Sequence, residues 1–248
     1  MKTYAEESFD SLKKIETGHF WFEERNNLIV WTIQKFSKNV ASFLEVGCGT
    51  GFVLQRIARE FPEANLTGVD YYESSLPIAQ LRSPKAKFAK ADITSLNFDK
   101  NFDMIGCFDV LEHIHDDRLA IINLYNALKA GGILFVTVPQ HPFLWNANDE
   151  YAFHVRRYSS SELQSKLCDA GFEIIYTTSF MSIILPLMIL RKLRKKVNDI
   201  DAKDSIDFRP PRLVNKFMRI FLRFEQFFIR QGLKIPIGGS RLVVAKKQ

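Results

Sequence analysis

The chain has 248 residues, 46% hydrophobic and 25% charged: enough for one sizeable core and too apolar for a disordered chain. No run reaches the roughly 18 uninterrupted apolar residues of a spanning helix, and the opening Met-Lys-Thr-Tyr-Ala-Glu-Glu-Ser lacks the apolar stretch of a signal peptide. The net charge of +6 hides an asymmetry: residues 1–190 carry 18 Lys/Arg against 23 Asp/Glu, a net of −5, and residues 191–248 carry 16 against 5, a net of +11.

From residue 41 the apolar runs alternate with helical patterns. Ser42 to Val46 reads as a buried strand, Val53 to Phe61 as a helix stopped by Pro62, and Asn65 to Asp70 as a second strand. A helix around Ser75 to Leu81, a strand from Ala86 to Lys90 and a strand from Phe102 to Phe108 follow. The amphipathic helix Asp116 to Leu128 is stopped by Gly131-Gly132, and Ile133 to Val138 is the fifth strand. This alternation predicts a parallel sheet with helices on both faces, whose ligands sit beyond the carboxyl ends of the strands. Beyond Pro139, an aromatic- and His-rich connection (140–158) leads to a helix from Ser161 to Ala170 and a sixth strand from Phe172 to Thr178. Residues 181–234 are long, basic and partly amphipathic, and Ser240 to Ala245 is a last strand. Cys48, Cys107 and Cys168 are too widely spaced for a disulfide framework or a metal site, so reduced thiols, a cytoplasmic location and no bound metal are expected.

The sharpest local signal is Glu45-Val-Gly47-Cys48-Gly49-Thr-Gly51, set between a strand and a helix. Its glycines permit a tight turn and close approach of a ligand to the backbone. A dinucleotide fingerprint needs a third glycine at position 52, which is Phe52, and a P-loop needs a lysine that the loop lacks. Asp70 and Asp92 end the second and third strands, where carboxylates can accept hydrogen bonds from a ribose and sit near an adenine edge.

The run Glu45 to Gly51 resembles the first motif of class I S-adenosylmethionine-dependent methyltransferases. Asp70, Ala91-Asp92-Ile93, Phe102 to His113 and Leu128 to Leu134 resemble the later motifs in order. The resemblance covers residues 41–178 well. It implies a Rossmann-like doubly wound α/β sheet, mostly parallel with an antiparallel last strand, and S-adenosylmethionine as cofactor. By the same likeness Glu45 faces the methionine amino group through water, Gly47 and Gly49 make room for the sulfonium arm, and position 48, here Cys48, tolerates small residues. Asp70 holds the ribose, Tyr71 stacks beside the adenine, Asp92 and Ile93 frame its edge, and Phe108 contacts the methionine portion. His19-Phe-Trp-Phe-Glu-Glu-Arg25 resembles the lid of a bacterial subgroup linked to glycan or lipid-linked sugar metabolism; the alternative is a helix that anchors its aromatics in the core.

Methyl transfer from a sulfonium is an in-line displacement that needs positioning, and a base where the acceptor must lose a proton. Histidines near the ends of strands four and five suit that base. His154 is the first candidate, His141 the second, and Tyr158 accompanies them in His154-Val-Arg-Arg-Tyr158. Arg156 and Arg157 are either binders of an anionic substrate group or solvated charges ahead of the Ser159-to-Glu162 cap. The pattern of nucleic-acid amine methyltransferases after strand four is replaced here by Phe108-Asp-Val-Leu-Glu, so a nucleic-acid acceptor of that type is not expected.

One methyltransferase domain is therefore expected: an N-terminal helical lid (1–40), a cofactor-binding core (41–180), a basic helical insertion (181–234) and a final strand (235–248). The insertion sets Ile183 to Leu190 before Arg191-Lys-Leu-Arg-Lys-Lys196, and aligns Leu213, Phe217, Ile220, Phe221, Phe224, Phe227 and Phe228 in one helical stripe. Apolar residues beside basic ones fit an interfacial helix on an anionic membrane, at its inner face; the alternatives are packing on the core or closure of a homodimer. The expected activity is methyl transfer to a small or lipid-linked acceptor, at oxygen, such as a sugar or isoprenoid-type molecule. The rivals are a methyltransferase with a protein or RNA acceptor, and a non-catalytic S-adenosylmethionine-binding protein.

Overall fold

The computed structural model describes residues 8–37, 39–96, 101–195 and 210–248. Seven strands form one sheet in the order β3-β2-β1-β4-β5-β7-β6. Strands β1 (Ser42–Val46), β2 (Asn65–Asp70), β3 (Lys87–Lys90), β4 (Phe102–Phe108) and β5 (Leu128–Pro139) run parallel, while β7 (Ser240–Lys247) is antiparallel to both β5 and β6 (Phe172–Phe180). This is a Rossmann-like sheet with the antiparallel last strand that the sequence predicts.

Side-chain alternation explains why the strands read as continuous apolar runs. Phe43, Phe135, Leu242 and Val244 join one core, and Leu44, Val136, Val243 and Ala245 the other. The first core is covered by α2 (Phe20–Phe36), α3 (Phe52–Glu60) and a late helix, α9 (Arg212–Arg230), through Leu28, Ile33, Leu54, Ile57, Leu222 and Ile229. The second is covered by α5 (Asp117–Ala127) and α7 (Ser160–Asp169), through Ile121, Leu124, Leu163 and Leu167. Among the described residues the other α-helices are α1 (Ser8–Glu16), α4 (Leu76–Arg82), α6 (Ala147–Tyr151) and α8 (Leu185–Lys195).

One boundary and one helix face differ from what the sequence predicts. Strand β5 begins at Leu128, immediately after α5, because Leu128 pairs with Phe102 before the register shifts at Met104; Gly131, at φ +75°, lies inside it. Helix α9 carries two apolar faces where one stripe was expected. Leu222 and Ile229 are buried, whereas the Leu213-to-Phe228 stripe faces outward. Of the basic run Arg191–Lys196, the backbone through Lys195 closes α8, and Lys196 lies outside the described residues. No helix among the described residues is long and apolar enough to cross a membrane.

Candidate active site

Because β1, β2 and β4 are parallel, Glu45, Asp70 and Asp109 gather at one edge of the sheet. The glycine loop is folded over that edge by hydrogen bonds from the Gly47 and Cys48 N–H groups to the Val69 carbonyl (2.8 and 3.0 Å). Gly47 and Gly51 sit at φ +71° and +73°, and a Cβ would lie 2.3 Å from Val110 at the first and 2.9 Å from Ala79 at the second. Gly49 is also left-handed, at φ +49°, but a Cβ there meets nothing within 4 Å. Two glycines are thus imposed by packing, and the middle one looks into open space where a ligand can reach the backbone.

The Asp70 carboxylate accepts from the Gly49 N–H (2.7 Å) and the Tyr72 N–H (2.8 Å), so it clamps the loop and retains lone pairs for a ribose. Burial raises its pKa, against the pull of these backbone donors. Glu45 is buried, and its Oε2 has no partner. Burial pushes the carboxyl up to about 8, with Arg25 opposing. A buried carboxyl with one oxygen unpartnered beside an open loop fits a ligand ammonium. Tyr71 is 56% exposed next to this edge. Asp92 caps the short turn at Ile93–Ser95, accepting from the Thr94 N–H and hydroxyl (2.8 and 2.7 Å), and Ile93 is buried. The ring of Phe108 lies over Gly106 inside the core, so a methionine would meet Phe108 through its backbone. Cys48 is buried beside Gly68, and burial raises its thiol pKa; the cysteines are unpaired.

The N-terminal helices reach this edge. Glu16 of α1 accepts from the Thr50 hydroxyl (2.7 Å) and pairs with Arg82 (2.6 Å), which also lies over Phe52. Phe9 packs against Tyr72 at 5.8 Å. In α2, Arg25 pairs with Asp109 at the end of β4 (2.8 Å) and stacks on Trp21. Phe22 meets Phe52 edge-on, and Asn26 donates to the Phe52 carbonyl (3.2 Å). These long-range pairs carry no local sequence signature.

On the acceptor side, the 140–158 connection folds back on the end of β4. His154 Nδ1 lies 2.8 Å from Asp149 Oδ1, and Arg157 pairs with the same oxygen at 2.7 Å. Burial works against ionisation of Asp149, but these two donors outweigh it and lower its pKa. His113 packs edge-on against His154 at 4.8 Å; burial and His154 lower it to about 4. Glu112 is 1% exposed, with neither carboxylate oxygen partnered, and burial and the neighbouring Asp109 hold it well above the usual range. One ligand atom each of Glu112, His113 and His154 lie within 4.8 Å of one another, close enough to share a cation. The sequence alone predicts no metal and does not bring this trio together. Leu-Glu-His after β4 was visible, but its partner lies 41 positions further on, and only the fold brings the two together.

His141 adopts φ +66°; its Nε2 is buried without a partner, and burial, Arg241 and Arg157 lower its pKa. Tyr158 departs from the expected catalytic set. It is fully buried, its hydroxyl donates to Asp117 (2.6 Å) and lies 3.2 Å from the Leu111 carbonyl, and its backbone pairs with Pro139 and His141. A phenol held in this way braces the connection and cannot reach an acceptor. Arg156 pairs with Asp117 (2.7 Å) and Arg157 with Asp149, so these two arginines are structural ion pairs, neither anion site nor solvated charge. A groove lined by Phe61, Pro62, Leu66 and Pro84 opens at the amino ends of β2 and β3.

Known proteins share this sequence pattern and this fold. A family model described as a methyltransferase domain matches residues 44–136. A malonyl-[acyl-carrier protein] O-methyltransferase of Bacillus anthracis is 26% identical over 208 residues, 77% of each chain. A ubiquinone biosynthesis O-methyltransferase of Pseudomonas entomophila is 29% identical over 119 residues, 45% of this chain and 50% of that one. Among solved structures, a phosphoethanolamine N-methyltransferase 2 of Haemonchus contortus superposes over 98% of this chain and 58% of its own, with a TM-score of 0.65 at 19% identity, which speaks to fold. Residues 44–136 thus match a methyltransferase domain, and the relatives support a class I S-adenosylmethionine-dependent methyltransferase with S-adenosylmethionine as its cofactor.

Proposed function

We propose that the enzyme methylates an oxygen atom of a small or lipid-linked acceptor, with His154 as the proton acceptor. The cofactor supplies an electrophilic methyl group. Glu45 receives its ammonium, Asp70 its ribose, and the open side of Gly49 lets it approach the backbone. Tyr71, Asp92 and Ile93 flank the adenine. The N-terminal helices, cross-linked to the glycine loop through Glu16 and to the end of β4 through Arg25, exclude water from the reacting centre.

The observation that carries the oxygen preference is the Asp149–His154 pair at the end of β4. A carboxylate on Nδ1 fixes the tautomer whose Nε2 holds a lone pair, the arrangement that takes a proton from a hydroxyl. Two relatives support the oxygen preference by name, one an O-methyltransferase of malonyl-[acyl-carrier protein] and the other of ubiquinone biosynthesis. Labelled S-adenosylmethionine offered with a lipid extract should place label on oxygen in the organic phase, and His154→Ala should lower turnover while S-adenosylhomocysteine affinity is kept. Label found on nitrogen, or in protein or RNA, would overturn the reading.

A further inference from the structure

Helix α9 is held to the body by one polar seam. Asn215 exchanges hydrogen bonds with Phe20 and Gly18 (both 2.8 Å), Arg223 reaches the buried Glu24 (3.0 Å), and Gln226 donates to the Glu24 carbonyl (2.6 Å). Glu225, buried on the same helix, accepts from three successive N–H groups, Met181, Ser182 and Ile183 (2.7, 2.6 and 3.0 Å). That carboxylate fixes the turn from which α8 starts, so the two helices are mounted on one frame.

The outward face of α9 remains apolar. Leu213 is 70% exposed, and Phe217, Ile220, Phe224 and Phe227 are each more than half exposed. They recur at spacings of three and four over a 19-residue helix, a full-length apolar stripe. Leu187 and Leu190 on α8 are exposed in the same way. Contiguous exposed apolar surface on this scale marks an interaction site.

We infer that the outward face of α9, together with α8, docks on an anionic lipid surface. Charge selects the occupant. Arg212 and Lys216 lie along one flank of the stripe, in line with the Arg219 and Arg223 that turn to Glu24, and residues 191–248 carry a net +11. A basic flank beside Phe and Leu is the pattern of a helix lying in the headgroup layer, where each Lys or Arg near the leaflet strengthens binding. A second copy of this chain is disfavoured, because a two-fold contact through the stripe would bring two strongly basic segments together. The inference does not depend on which acceptor is methylated.

Sedimentation of the full chain with phosphatidylcholine vesicles, with and without phosphatidylglycerol, at low and high salt tests it. The protein should pellet with the anionic vesicles, less at high salt, and little with phosphatidylcholine alone. Arg212→Glu with Lys216→Glu should weaken anionic-vesicle binding by about tenfold or more. Phe217→Glu with Phe224→Glu should abolish it at both salt concentrations. Because these side chains lie outside the core, S-adenosylhomocysteine affinity should be unchanged in both variants, which confirms that the fold is intact. Absence of binding to either vesicle would overturn the inference. So would a concentration-dependent dimer dispersed by Phe217→Glu, or retention by RNA without retention by vesicles.

Discussion

Glu45 offers the most discriminating test of the cofactor site, because its burial makes ligand binding a proton-coupled event. In the free protein the carboxyl titrates at about 8 instead of 4.5, so between those values the folded chain holds a proton that the unfolded chain has lost. The sign follows directly: the folded pKa is raised, the stabilisation is complete below pH 4.5, and it is lost as pH rises toward 8, at about 1.4 kcal/mol per pH unit. An ammonium seated against the unpartnered Oε2 favours the ionised form, so binding at pH 6.5 should expel roughly one proton per site. Calorimetric titration with S-adenosylhomocysteine in two buffers of different ionisation enthalpy reads that proton. Glu45→Gln should abolish the release, weaken binding by about 10- to 100-fold for the loss of one charge-assisted hydrogen bond, and flatten the fall in melting temperature between pH 5 and 8. A release of one proton that persists in Glu45→Gln would refute the assignment, as would no release in the wild type.

Other residues make separable predictions. Asp70→Ala removes the acceptor of two backbone N–H groups together with the ribose contact, and should weaken S-adenosylhomocysteine binding about 100-fold by calorimetry; unchanged affinity would take the ribose away from Asp70. Gly47→Ala forces a Cβ against Val110 and should cost about 1–3 kcal/mol in denaturant melts. Gly49→Ala meets open space in the free protein and should instead show its larger effect on cofactor affinity. Tyr158→Phe removes the buried hydroxyl that donates to Asp117, leaving that carboxylate to Arg156 and Lys166, and should destabilise by about 1–3 kcal/mol with kcat retained; a selective fall in kcat would return Tyr158 to the reacting centre.

Much of the sheet was legible because its physics is local. A strand buried on both faces must be apolar at consecutive positions, as in Phe43-Leu44 and Val243-Val244, and a left-handed turn selects glycine at the 47, 49 and 51 positions. Arg25–Asp109 and Glu16–Arg82 were not legible, since each joins residues whose proximity exists only after the chain has folded. Tyr158 misled for a related reason. Next to His154 in sequence it has the chemistry of an acid, but its bridge to Gln140 turns the ring into the core, where its hydroxyl is fully engaged. The stripe on α9 was visible as periodicity, yet periodicity cannot say which of two apolar faces is covered. Leu222 and Ile229, on the opposite side of the helix, decided that by packing on the sheet.

Helix α2 links these observations. Glu24 is fully buried and accepts Arg219 and Arg223 from α9, while its neighbour Arg25 pairs with Asp109 at the end of β4. Adjacent residues of one helix thus hold the outward apolar helix on one side and the carboxyl end of the sheet on the other. Burial makes both ion pairs demanding, since either carboxylate left without its arginine would be an uncompensated charge away from water. The consequence is a rigid mount: α9 cannot move away from the sheet without exposing or stranding Glu24, and α2 cannot lift from the glycine loop without separating Arg25 from Asp109. An apolar acceptor drawn from a lipid surface would therefore meet a docking face and a reacting edge already fixed relative to each other, which is the pre-organisation that in-line transfer requires.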